Sequence, residues 1–159
     1  MSVMKKPQMS SCARSLLLGM LLPLSAIVSP LNTTVASADT LIFDSDGNPA
    51  NGATDGSGAW VPGVSTNFYN GTINVVTAPG DIARFGNGGT LSGSAAVNVG
   101  SGTIGGLTFG ATSGNGYFLT ADAAEVLTIG ASGIVVSSGA QTTTLGSATL
   151  GLALGANQS

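Results

Sequence analysis

Leu107-Thr108-Phe109-Gly110-Ala111 and Leu127-Thr128-Ile129-Gly130-Ala131 share one pattern: apolar, polar, apolar, Gly, Ala. Val97-Asn98-Val99-Gly100-Ser101 and Leu152-Ala153-Leu154-Gly155-Ala156 repeat it with small substitutions. The four copies begin at positions 97, 107, 127 and 152, spaced by 10, 20 and 25 residues. In a strand, an apolar-x-apolar triplet sends its outer two side chains to one face and the middle one to the other. The glycine that follows accepts backbone angles closed to other residues and lets the chain turn. The pattern therefore predicts short strands that present Val97, Val99, Leu107, Phe109, Leu127, Ile129, Leu152 and Leu154 to a shared interior. Thr108 and Thr128 are expected outside, in a hydroxyl ladder on neighbouring turns. One turn cannot bury such side chains alone, whereas turns stacked about 4.8 Å apart can. The expected fold is all-β, a parallel β-solenoid of the right-handed β-helix kind. An antiparallel sandwich is the alternative, and its best hairpin signals are Asn70-Gly71 and Asn87-Gly88.

Working outward, residues beyond 38 lack sustained 3.6-residue periodicity; 121–127 is the nearest candidate and is short. Strands are expected near 72–76, 81–85, 95–99, 104–109, 117–120, 126–129, 133–137 and 148–154. The 159 residues contain 25 Gly, one Cys and no His, and 7% are charged, against about 25% in ordinary soluble domains. With 43% hydrophobic residues, the low charge does not signal disorder, which pairs low hydrophobicity with high charge. Beyond residue 38 Arg84 is the single base, set against all 7 acids. Such a chain cannot neutralise phosphates, so nucleic acid is not an expected partner. Without His it lacks the commonest acid–base catalyst and metal ligand. The composition argues against an enzyme, and no cofactor is expected.

The first 38 residues read as a cleavable signal peptide. Lys5 and Lys6 form a positive start, an apolar run begins at Leu16, and Ala36-Ser37-Ala38 supplies the small-x-small cleavage signal, so the mature chain is expected to begin at Asp39. The run is about 13 residues long and holds Pro23, short of the roughly 18 needed to span a bilayer. Cys12 precedes it and would leave with the leader, so disulfides are not expected to stabilise the mature chain. The expected organisation is a leader at 1–38, an N-terminal cap at 39–90 and solenoid repeats at 91–159.

Two stretches carry a resemblance. Phe43-Asp44-Ser45-Asp46-Gly47-Asn48 leads through Gly56-Ser57-Gly58-Ala59-Trp60 to Asn67-Phe68-Tyr69-Asn70-Gly71. Gly80-Asp81-Ile82-Ala83-Arg84-Phe85-Gly86 then leads to Ile104-Gly105-Gly106-Leu107-Thr108-Phe109 and Gly116-Tyr117-Phe118-Leu119-Thr120. In order and spacing this resembles the N-terminal part of bacterial proteins with autotransporter-associated β-strand repeats, also called passenger-associated transport repeats. Phe43 stands where that family usually has Trp, and Phe68-Tyr69 replaces a Trp-centred step. The resemblance implies a passenger domain displayed at the cell surface or secreted by the type V route, supporting adhesion. Its implied partners are the outer membrane translocation machinery or a β-barrel domain in a longer chain, since repeat-like sequence runs on to Ser159.

Several residues are candidates for sites. Asp44, Asp46, Asn48 and Asp55 fall at positions 1, 3, 5 and 12 of a calcium-loop template, although Pro49 occupies the position that needs Gly. A solvated acidic turn is the simpler reading. Trp60, Phe68 and Tyr69 suit either a cap over an open end or an aromatic platform for surface glycans, which would make the chain a secreted carbohydrate-binding module. Asp81 and Arg84 suggest a local ion contact. Asp122 and Glu125 are the only acidic pair to consider for a polysaccharide lyase, but no base stands near them. Ser-based triads fail for want of His.

Overall fold

The computed structural model describes residues 38–155. The expected leader, with Lys5, Lys6, Cys12 and the apolar run, lies outside these residues apart from Ala38, as does Ala156. Among the described residues the regular structure is strand, with one 3-10 turn at Pro49–Asn51. The strands are β1 (Thr40–Phe43), β2 (Gly58–Trp60), β3 (Phe68–Tyr69), β4 (Asn74–Val75), β5 (Ile82–Phe85), β6 (Thr90–Leu91) and β7 (Ala95–Val99). They continue as β8 (Gly102–Phe109), β9 (Ser113–Gly114), β10 (Tyr117–Thr120), β11 (Glu125–Val136), β12 (Thr144–Leu145) and β13 (Leu150–Leu154). The fold is all-β.

One sheet has the order β13-β11-β8-β5-β1-β3-β4, a second β12-β10-β7-β2, and β6 pairs with β9 in a third. Strand pairs are parallel except at β1–β3 and β3–β4. This rules out the antiparallel sandwich. From β5 the chain visits the first, third and second sheets in turn, and β8, β9 and β10 repeat the circuit. The Asn70-Gly71 signal marks the hairpin between β3 and β4, where Asn70 Oδ1 accepts from the N–H groups of Thr72 and Ile73 at 3.0 Å.

Alternation within the strands decides which side chains go inside. Ala95, Val97 and Val99 of β7 are buried, and so are Tyr117 and Leu119 of β10, which lie beside them in register. Leu107, Phe109, Leu127 and Ile129 are buried as well. Around them Phe43, Trp60, Phe68, Phe85, Phe109 and Tyr117 form one aromatic cluster. Phe85 lies 5.2 Å from Phe43 and stacks on its register partner Phe109 at 5.8 Å. Each such pair adds about 0.5–1.5 kcal/mol beyond the area it buries.

Leu152 and Leu154 require a correction: they are 38% and 66% exposed. They align with Leu127 and Ile129, but β13 has a hydrogen-bonded neighbour on one side alone among the described residues. A side chain there is covered from below and left bare above. Thr108 and Thr128 do not align either; Thr128 faces Thr103, while Thr108 faces Arg84 and Val135. The reason is the length of a turn. Side chains link Asn98 to Asp122, Ser101 to Glu125 and Asn115 to Leu91, each pair 24 residues apart, not 20. The copy at Val97 lies in the second sheet, whereas those at Leu107, Leu127 and Leu152 lie in the first.

Glycine marks the same interval at a corner. Gly105 passes so close to Gly80 that a Cβ would run into the Gly80 carbonyl, and a Cβ on Gly130 would sit 3.2 Å from Gly105 Cα. Side chains are excluded wherever one turn's backbone lies against the next.

Candidate functional site

The acidic turn is held by its own polypeptide. Asp44 is buried and accepts from Thr54 N–H at 3.0 Å and from Asn74 Nδ2 at 2.7 Å. Asp46 accepts from Asn51 Nδ2 at 2.8 Å and Asn48 N–H at 2.9 Å; these bonds, the Asn51 one foremost, hold its carboxyl below the usual range. Asn48 Oδ1 caps the 3-10 turn by accepting from Ala50 N–H. Asp55 leaves this group altogether. Its carboxylate accepts from Asn87 N–H, from Gly89 N–H at 2.7 Å and from the Tyr117 hydroxyl at 2.9 Å. The calcium-loop spacing therefore does not converge in space. Among the described residues no three His, Cys, Asp or Glu side chains gather as a metal site.

Asp55 is a clasp between segments far apart in the chain. The Tyr117 hydroxyl donates to it while accepting from Gly56 N–H at 3.3 Å. Burial first, then the negative charge of Asp55, pushes the Tyr117 phenol above its ordinary 10.0. An open groove of about 370 Å³ runs along Asp55, Ser57, Thr90 and Ser94. Its single carboxylate is already committed to three donors, which leaves it little capacity to take a proton from a substrate.

The aromatic platform is also corrected. Trp60 and Phe68 are both 0% exposed, and the Trp60 indole donates to the buried Thr77 hydroxyl at 3.3 Å. A sugar stacks on an open ring face, and neither ring has one. Tyr69 is half-buried, with its hydroxyl donating to Gly71 O at 2.8 Å. These rings fill the interior beneath the β3–β4 hairpin.

The remaining charged candidates are separated. Asp81 accepts from backbone N–H groups of Asp39 and Ala78, whereas Arg84 Nε donates to Gly86 O at 3.1 Å, so the two are not a pair. Asp122 bonds Asn98 from both its carboxylate and its N–H. Glu125 accepts from Ser101, whose hydroxyl and then backbone N–H hold the Glu125 carboxyl below the usual range. Both acids thus tie one turn to the preceding one instead of facing each other across a cleft.

What sequence reasoning missed is the free edge of β13. Leu150-Gly151-Leu152-Ala153-Leu154 carries no charge and no proline, the devices that normally blunt an edge strand. Val126, Ile134, Val135 and Val136 on β11 are exposed nearby in the chain order of the same sheet. At the opposite edge stands β4, two residues long. The signal was present as the apolar triplet at 152, but burial depends on a neighbour that a single segment cannot reveal.

No protein-family model, curated protein or solved structure matches the chain.

Proposed function

We propose that this chain is a non-catalytic exported structural module, the capped start of a parallel β-solenoid resembling the passenger of a type V autotransporter, that supports surface display or adhesion. The observation that carries the reading is the repeated circuit through three sheets, with bonded residues 24 apart. A short antiparallel hairpin closes one end of the first sheet and an unblunted apolar strand ends the other. Parallel crossovers are right-handed in about 98% of cases, which sets the hand proposed here. Growth is then directional: each turn templates the next through backbone hydrogen bonds and apolar burial, a process suited to folding outside the membrane. Each fully buried aliphatic side chain contributes about 1.5–3 kcal/mol. Composition supports a non-catalytic role, since the described residues contain no His and their acids serve as structural acceptors.

Surface display in the exporting cell tests the proposal. Leu107→Asp and Leu127→Asp each place a carboxylate at a site no more than 1% exposed and are expected to reduce displayed chain several-fold. Val64→Asp, at a position 68% exposed, should leave display unchanged. Equal display of all three variants would overturn templated folding as the function.

A further inference from the structure

Asp81 is a carboxylate only 9% exposed. One oxygen accepts from Ala78 N–H at 2.7 Å, and the other from Asp39 N–H at 3.3 Å. Its backbone is fixed as well, because its carbonyl accepts from the N–H groups of Gly105 and Gly106 and its N–H donates to Ala78 O. Arg84, the sole base beyond residue 38, is directed at Gly86. The position opposite Asp81 is held by a main-chain nitrogen, and that nitrogen belongs to the residue after the Ala36-Ser37-Ala38 cleavage signal. Asp39 is anchored too, its carbonyl accepting from Ile82 N–H at 2.8 Å, while Ala38 is exposed.

We propose that Asp81 is the receptor for the new N-terminus, and that leader removal between Ala38 and Asp39 locks the end of β1 onto β5. Hydrolysis by a leader peptidase breaks the Ala38–Asp39 amide bond: water supplies hydroxyl to the Ala38 carbonyl carbon and a proton to Asp39 nitrogen. The freed amine takes a second proton from solvent and becomes an ammonium, as α-amino groups with an ordinary pKa of about 7.7–8.0 mostly are at neutral pH. A neutral hydrogen bond of 3.3 Å becomes a charge-assisted one, which is shorter and roughly twice as strong. Asp81 acquires the cation that Arg84 does not provide. Processing then completes the fold instead of merely releasing it.

The inference rests on the export reading only through this cleavage. Both lysines, Lys5 and Lys6, leave with the leader, so the Asp39 amine is the sole amine of the processed chain and an acetylating reagent addresses it alone. The chain recovered from exporting cells should have a mass beginning at Asp39. Its amine should react at least tenfold more slowly in the folded state than in urea, because an ammonium bound to a carboxylate is held in the unreactive form. Acetylation after unfolding and refolding should lower the melting midpoint by about 4 °C or more. In a chain with one alanine inserted between Ala38 and Asp39, the ammonium moves one residue out of reach. That chain should react equally fast folded and in urea and should be indifferent to acetylation; Asp81→Asn, where it folds, should behave likewise. A mass beginning elsewhere overturns the proposal, as does equal reactivity of the processed chain in its folded and unfolded states. Loss of surface display with the clasp intact would count against the display function alone.

Discussion

Replacing Phe85 by Ala is the sharpest test of where this protein's stability resides. Phe85 is 0% exposed, and five rings surround it: Phe43 at 5.2 Å, Tyr117 at 5.4 Å, Trp60 at 5.7 Å, Phe109 at 5.8 Å and Phe68 at 5.9 Å. Truncating a buried Phe costs about 3–5 kcal/mol, and the upper end applies where the surroundings cannot collapse. Here they cannot, because Phe43 and Phe109 are held by ladders on either side of β5. A domain of this size has about 5–15 kcal/mol in all, so the loss takes a large share of it. Trp60, the single tryptophan, lies inside the cluster and reports urea unfolding by fluorescence, with circular dichroism as a second probe. For a urea slope near 2 kcal/mol/M the midpoint should fall by about 1.5–2.5 M. Val64→Ala, at an exposed site, should move it by less than about 0.5 kcal/mol. A Phe85→Ala chain within about 1 kcal/mol of the parent would refute the claim that this cluster is the centre of the core.

Two further outcomes follow from the clasp and the corner. In a Tyr69→Phe chain Tyr117 is the only tyrosine, and its phenol is raised above 10.0 by burial and by Asp55. The folded state prefers the protonated phenol, so this stability is fully present below pH 10 and is lost as the pH rises through the higher folded value. Phenolate absorbance near 295 nm should therefore appear together with loss of the strand signal; reversible ionisation of an intact fold near pH 10 would contradict the buried clasp. Gly105→Ala should cost about 1–3 kcal/mol through overpacking against Gly80, whereas Gly93→Ala, with open space around it, should be near neutral. Equal urea midpoints for the two would remove the close approach.

Much of the strand pattern could be read from local alternation. The segments 95–99 and 117–120 coincide with β7 and β10 because apolar and polar residues alternate there without interruption. The hairpin at Asn70-Gly71 was equally plain. The length of a turn was not, since an apolar-x-apolar-Gly search groups Val97 with Leu107 although they lie in different sheets. The better signal was glycine at 80, 105, 130 and 155, placed by contact between backbones, not by propensity. Strands of two residues, such as β6, β9 and β12, leave almost no local trace, because their pairing comes from the neighbouring turn. The acidic loop misled for a related reason: Asp55 answers to Asn87, Gly89 and Tyr117, partners that spacing along one loop cannot disclose. Trp60 and Phe68 were correctly singled out as a group, yet whether large rings cover an end or greet a ligand depends on burial that composition does not encode.

The 24-residue interval joining Asn98 to Asp122 and Ser101 to Glu125 has a genetic corollary. A tandem duplication of that length in the gene would meet, on each side, a surface matching the one from which it was copied. Length can then change by whole units without waiting for compensating mutations elsewhere, whereas a deletion out of phase with the unit would misalign every residue downstream.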